Sequence, residues 1–147
     1  MNYLVFRNDG IGDLIVTSRV FELIKKSNLK NKIFLVCSSR NLKYALELKN
    51  SGLVDKIINL DDFNSGLFKN LMLIIHLRKL KPNISLIYKI NNRNILISYF
   101  SKTNSIYSIL PLKNSRLFKK KFKIPYFLSK LLFSNVEYID ERDNYSY

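Results

Sequence analysis

The stretch Tyr3-Leu4-Val5-Phe6-Arg7-Asn8-Asp9-Gly10-Ile11-Gly12-Asp13-Leu14-Ile15-Val16-Thr17-Ser18 changes character twice. Tyr3 to Phe6 is a short β-rich run, and Arg7 to Gly12 is rich in turn formers. From Asp13 the apolar residues take a helical period: Val16, Val20, Leu23 and Ile24 fall on one face, and Glu22 precedes Lys26 by one turn. Asn28 to Asn31 read as the stop.

The alternation continues outward from this unit. Lys32 to Cys37 is a near-continuous apolar run, as expected of a strand covered on both faces. A helical segment follows over Asn41 to Lys49, closed by Gly52, and Val54 to Leu60 gives a third strand. Asp61 to Ser65 reads as a loop, and Leu67 to Leu80 as a long apolar-basic helix ending before Pro82. Ile84 to Ile90 is a fourth strand, Asn91-Asn92 a loop, Asn94 to Phe100 a helix, and Thr103 to Ile109 a fifth strand. Beyond Pro111, Tyr126 to Phe133 looks helical, and Glu137 to Tyr147 reads as a strand remnant or tail. Strands alternating with helices predict right-handed βαβ units. The fold class is α/β, a Rossmann-like parallel sheet flanked by helices. Neither an internal repeat nor a low-complexity tract interrupts it.

Composition narrows the functional classes. A chain of 147 residues, 47% hydrophobic with four Gly and three Pro, is a globular domain rather than a disordered or collagen-like chain. A lone cysteine, Cys37, excludes a disulfide-stapled framework. The first apolar run is too short for a secretory signal, and no stretch approaches the ~20 apolar residues that span a bilayer. The expectation is a cytoplasmic chain, soluble or peripheral on the inner face of the cytoplasmic membrane. Its net charge of +14 attracts nucleic acid, anionic lipid or phosphorylated small molecules, and sign alone does not choose among them. A richness in Asn and Lys also fits compositional drift of a whole genome.

In open parallel sheets, ligands bind where strands end and loops enter helices. Asn8 to Gly12 is the richest such place here. Gly10 and Gly12 carry no Cβ, so the backbone can turn sharply and approach a ligand. The helix that follows offers free N–H groups and the positive end of its dipole to a phosphate or carboxylate. The spacing matches neither the dinucleotide fingerprint nor a P-loop. Asp13 has two readings that are compatible. It is a helix N-cap accepting the N–H of Ile15 or Val16, or a carboxylate able to take a proton from a substrate hydroxyl. Arg7, at the end of the first strand, is either a surface arginine or a two-pronged clamp on an acceptor phosphate or carboxylate.

The opening stretch closely resembles the amino terminus of the ADP-heptose:lipopolysaccharide heptosyltransferases, glycosyltransferase family 9. Gly52-Leu53-Val54-Asp55-Lys56-Ile57-Ile58 is similar to that family's approach to its third strand. The resemblance implies the amino-terminal, acceptor-side half of a two-domain GT-B enzyme, with the Rossmann-like domain over residues 1–135 and a tail or interdomain connection over 136–147. The family's reaction is an inverting transfer of heptose from ADP-heptose to an inner-core lipopolysaccharide acceptor. It calls for no metal and no cofactor beyond the nucleotide-sugar donor. By resemblance Asp13 is the general base, with Arg7, Asn8, Asp9, Gly10 and Gly12 around the acceptor. Two departures accompany the match. The carboxyl-terminal, donor-binding half is expected to be absent, leaving a half-enzyme inactive alone or completed by a chain supplying the donor domain. The loop after the fourth strand, Leu86-Ile87-Tyr88-Lys89-Ile90-Asn91-Asn92, has neither the family's carboxylate nor its glycine.

His76, within an apolar helix, reads as packed or at a rim, and Cys37 as a small buried hydrophobe. The basic cluster Lys119, Lys120, Lys121 and Lys123 reads as a solvated face or as a contact to an anionic inner-membrane surface. It has no nucleic-acid-reading scaffold beside it, so nucleic acid is not an expected partner. A rival to the transferase reading remains: a non-enzymatic basic α/β module that docks on an anionic membrane or a partner subunit.

Overall fold

Lys32 to Cys37 forms a strand over the expected span, buried from Ile33 to Cys37, and it sets the plan of the molecule. The computed structural model describes residues 1–63, 66–111 and 135–139, with side chains as far as residue 108. In chain order the elements are β1 (Asn2–Phe6), α1 (Ile11–Ser27), β2 (Lys32–Cys37) and α2 (Leu42–Asn50). There follow β3 (Lys56–Asn59), a 3₁₀ turn (Leu60–Phe63), α3 (Gly66–Lys79), β4 (Ile84–Ile87), α4 (Asn92–Phe100), β5 (Ser105–Pro111) and β6 (Asn135–Ile139). All pairings are parallel and the strand order is β3-β2-β1-β4-β5-β6. The expected strand remnant near Glu137 is β6, a full strand at the sheet edge that begins at Asn135.

A right-handed crossover fixes which face each helix covers. The chain steps outward from β1 to β3 and then returns past β1 to β4, so α1 and α2 lie on one face and α3 and α4 on the other. The side chains of each strand divide accordingly, since successive residues point to opposite faces. Leu4, Phe6, Phe34, Val36, Ile58 and Ile87 pack with Leu73, Leu77, Ile95 and Ile97. Val5, Ile33, Leu35 and Cys37 pack with Leu14, Phe21, Ile24, Ala45 and Leu48. Burial pushes the Cys37 thiol up to about 11, so it stays protonated and unreactive, as a small apolar filler should.

Local chemistry explains the boundaries. Gly52, at φ +80, ends α2 in a left-handed turn. The N–H of Gly52 reaches the carbonyl of Lys49 and that of Leu53 the carbonyl of Leu48, the paired bonds of a Schellman motif. Asp55 then accepts from Ile33 N and from Lys25 Nζ, fixing the entry to β3 against α1.

One helical face departs from expectation. The buried residues of α1 are Leu14, Thr17, Ser18, Phe21 and Ile24, whereas Val16 and Leu23 are exposed. The reason is local satisfaction of hydroxyls. Thr17 Oγ1 donates to Asp13 O at 2.8 Å and Ser18 Oγ to Ile15 O at 2.6 Å, so two small polar residues can face the sheet closely. Counting only apolar residues rotates the helix by the wrong amount.

Candidate functional site

The strand order reverses direction between β1 and β4, and in such sheets the crevice at the carboxyl ends of those two strands is the place for a ligand. The loops leaving β1 and β4 meet there. Arg7 follows β1, with only 13% of its side chain exposed. Its terminal nitrogens hold two carboxylates: Nη1 lies 3.2 Å from Asp9 Oδ2 and Nη2 lies 3.0 Å from Asp13 Oδ1. Its guanidinium carbon stands 5.7 Å from the centre of the Tyr88 ring, in cation–π range. Burial pushes the Tyr88 phenol up, and the arginine charge works against that shift.

Arg7 is therefore neither a surface arginine nor an open clamp. Its side chain is spent on holding the site together. Asp9 is 14% exposed, with Oδ1 buried and unpartnered, while Asp13 is 54% exposed. That contrast separates their roles: Asp9 anchors Arg7, and Asp13 presents a carboxylate to solvent.

Two expectations for this loop are corrected by its geometry. Helix α1 begins at Ile11 with Gly10 as N-cap, so Asp13 sits in the first turn and makes no side-chain cap bond. The cap reading placed the helix start three residues late, at Leu14 rather than Ile11. Gly10 has φ −81 and ψ 160, an extended conformation open to any residue, and neither Gly10 nor Gly12 has a positive φ. What they contribute is room. A Cβ on Gly10 would lie 3.4 Å from Asp13 Oδ2, the oxygen not paired with Arg7, and one on Gly12 would meet nothing within 4 Å. Exposed Ile11, Ile15 and Val16 flank Asp13 on the same two turns.

The β4 loop, which has neither a carboxylate nor a glycine, is organised instead by amide side chains. Asn91 caps α4 by accepting from Asn94 N at 2.8 Å. Asn94, fully buried, donates through Nδ2 to Asn8 Oδ1 at 2.8 Å and to Lys89 O at 2.7 Å. Arg93 ties this loop to the α3 side, with Nε 2.9 Å from Asn70 Oδ1 and Nη2 2.8 Å from Phe63 O. From β2, buried Asn41 donates to Arg7 O at 2.7 Å and accepts from Ser38 N.

Among the described residues, the buried side-chain atoms without a partner are Arg7 Nε, Asp9 Oδ1, Ser38 Oγ, Asn92 Oδ1 and Asn94 Oδ1. All follow the carboxyl ends of β1, β2 or β4. Buried polar atoms are paired in the great majority of cases, so these donors and acceptors at one edge are the ones open to a ligand or to water.

Of the candidates read from the sequence, Arg7, Asn8, Asp9, Gly10, Gly12 and Asp13 are thus gathered at one edge of the sheet. Tyr88, Asn41 and Asn94 join them without having been singled out. The polar run Asn91-Asn92-Arg93-Asn94 was the available signal. His76 lies half-buried on α3, its pKa lowered by burial and by Lys56 and Lys79, and contributes nothing to this edge. Lys119, Lys120, Lys121 and Lys123, and the helix expected over Tyr126 to Phe133, lie outside the described residues. Among the described residues, no helix is long and apolar enough to cross a membrane, and no group of three His, Cys, Asp or Glu could hold a metal ion.

Strand order and helix placement define a Rossmann-type α/β domain. Comparison with solved structures specifies the architecture further. Escherichia coli ADP-heptose lps heptosyltransferase II matches with a TM-score of 0.66 at 12% identity, over 97% of this chain and 36% of that one. A family 9 glycosyl transferase from Veillonella parvula matches with a TM-score of 0.67 at 12% identity, over 92% of this chain and 35% of that one. The fold is the amino-terminal half of a GT-B glycosyltransferase architecture, as the opening motif implied, and the chain spans about a third of the length of these structures. No protein-family model and no curated protein matches the sequence.

Proposed function

We propose that these 147 residues are the acceptor-side domain of a family 9-type inverting glycosyltransferase, with Asp13 as general base. The observation that carries the reading is the half-exposed Asp13 carboxylate, held through one oxygen by buried Arg7 at the switch point of this fold. The other oxygen accepts the proton of an acceptor hydroxyl. The hydroxyl oxygen then attacks the anomeric carbon, and the bond from that carbon to the nucleoside diphosphate breaks with inversion. Arg7 keeps the carboxylate aimed, since a base must lie within hydrogen-bond reach of the proton it takes. Asn8, Asp9 and the backbone of Gly10 and Gly12 border the acceptor, which is an inner-core lipopolysaccharide or another surface glycan on the cytoplasmic side.

The donor belongs to the other half of such an enzyme, so this domain alone does not transfer sugar. Calorimetric titration of the chain with ADP-heptose should show no saturable binding. A micromolar dissociation constant would overturn the assignment of these residues to the acceptor side.

A further inference from the structure

The positive charge of this chain is not spread evenly. Between Asp62 and Glu137 there are fourteen Lys and Arg residues and no Asp or Glu, whereas the rest of the sequence carries eleven of each. The whole of the +14 therefore resides in residues 63–136: seven of these cations stand between α3 and β5, and the other seven lie outside the described residues. Helices α3 and α4, which share one face of the sheet, carry Lys69, Arg78, Lys79 and Arg93 and no acid; Asp61 and Asp62 stand in the 3₁₀ turn that leads into α3, and Glu22, Glu47 and Asp55 lie with α1 and α2 on the opposite side.

The same face is also unusually apolar at its surface. Helix α3 buries Leu73 and Leu77 against the sheet. On its outward arc it leaves Leu67 (89% exposed), Phe68 (72%), Leu71, Met72 and Ile75 in solvent. Leu67, Leu71 and Ile75 repeat at i, i+4 and i+8, with Phe68 and Met72 one residue on, so they form a continuous stripe. Lys69, Arg78 and Lys79 stand among or beside them on the same helix. Helix α4, packed beside α3 through the Arg78 Nε bond to Phe100 O at 2.7 Å, adds exposed Leu96, Tyr99 and Phe100. Large apolar patches of this kind mark contact sites.

Apolar side chains rimmed by Lys and Arg, with no acid on either helix, have the chemistry of an amphipathic surface that lies in a lipid headgroup layer. We propose that the α3–α4 face docks on an anionic lipid bilayer, the α3 stripe entering the headgroup boundary and the flanking cations meeting anionic lipid. Two adjoining helices that expose apolar side chains and carry Lys69, Arg78, Lys79 and Arg93 with no acid of their own complement a negatively charged lipid surface. This reading is independent of the transferase assignment. It has a consequence for it: helices in βαβ units run antiparallel to the strands, so Leu67 and Phe68 lie toward the sheet edge that carries Asp13, where a lipid-anchored acceptor would arrive.

The test is flotation of the whole chain with vesicles of phosphatidylcholine, alone or mixed with phosphatidylglycerol. The wild type should float with the mixed vesicles and not with phosphatidylcholine alone, and raised salt should weaken binding without abolishing it. The double variant Phe68→Ser, Leu71→Ser, at exposed positions, should lose about tenfold or more in binding, with its melting temperature preserved. Leu23→Ser, exposed on the opposite face, should bind as wild type. Absence of binding to anionic vesicles, or equal binding by the double variant, overturns the proposal. So does sedimentation equilibrium showing a dimer that the double variant dissolves, or RNA binding that the double variant loses, because the face would then belong to that occupant.

Discussion

Replacing Asp13 by Asn should lower the rate of sugar transfer by about 10²–10⁴-fold, the usual contribution of a positioned general base. The rate is to be read with these residues working beside a donor-binding half, as initial transfer of labelled heptose to the acceptor. The amide keeps the shape of the side chain but cannot accept the hydroxyl proton. Stability should change little, because Asp13 is 54% exposed and its pair with Arg7 is the more solvated of the two; such pairs contribute under about 1 kcal/mol. Acceptor affinity should also be nearly retained. A rate within tenfold of wild type would remove Asp13 from the chemistry and leave it as a charge in the first turn of α1.

Arg7→Ala should instead act on folding, by about 3 kcal/mol or more in urea unfolding, because breaking a buried pair leaves an uncompensated charge behind. Asp9 is the reason. Its side chain is 14% exposed, Oδ2 depends on Arg7, and Oδ1 is buried with no partner among the described residues. The stacking on Tyr88 is lost as well. Arg7→Lys should recover only part of the loss, since a single ammonium lacks the fork that reaches Asp9 and Asp13 together. The double variant Arg7→Ala, Asp9→Asn should be more stable than Arg7→Ala, the signature of coupling between the two groups. A loss under 1 kcal/mol for Arg7→Ala would mean that Arg7 is the exposed, ligand-facing arginine after all.

These two residues show what the sequence could and could not disclose. The strands were legible because burial on both faces writes a continuous apolar run, and Lys32 to Cys37 matches β2 residue for residue. Gly52 announced the end of α2 because only a left-handed turn needs it there. The gathering of Arg7, Asp9 and Asp13 was legible too, since all three lie within one loop and the first turn of α1. The bridge across the crevice was not. Asn8 meets Asn94 across 86 residues of chain, and Arg7 meets Tyr88 from a different strand; no local period records such meetings. The buried face of α1 was misread for a related reason. Thr17 and Ser18 are polar by composition, yet they bond their hydroxyls to the helix's own carbonyls and so can be buried.

The central claim is that the β1–β4 crevice holds a glycan acceptor, and it is tested most directly by mapping where one binds. With backbone amides of the chain resolved by heteronuclear NMR, an inner-core lipopolysaccharide oligosaccharide is titrated in. The account predicts saturable shifts concentrated at Arg7 to Asp13 and Asn91 to Asn94, with α2 and the amino ends of the strands unmoved. Saturable shifts elsewhere, or none in that crevice, would contradict it.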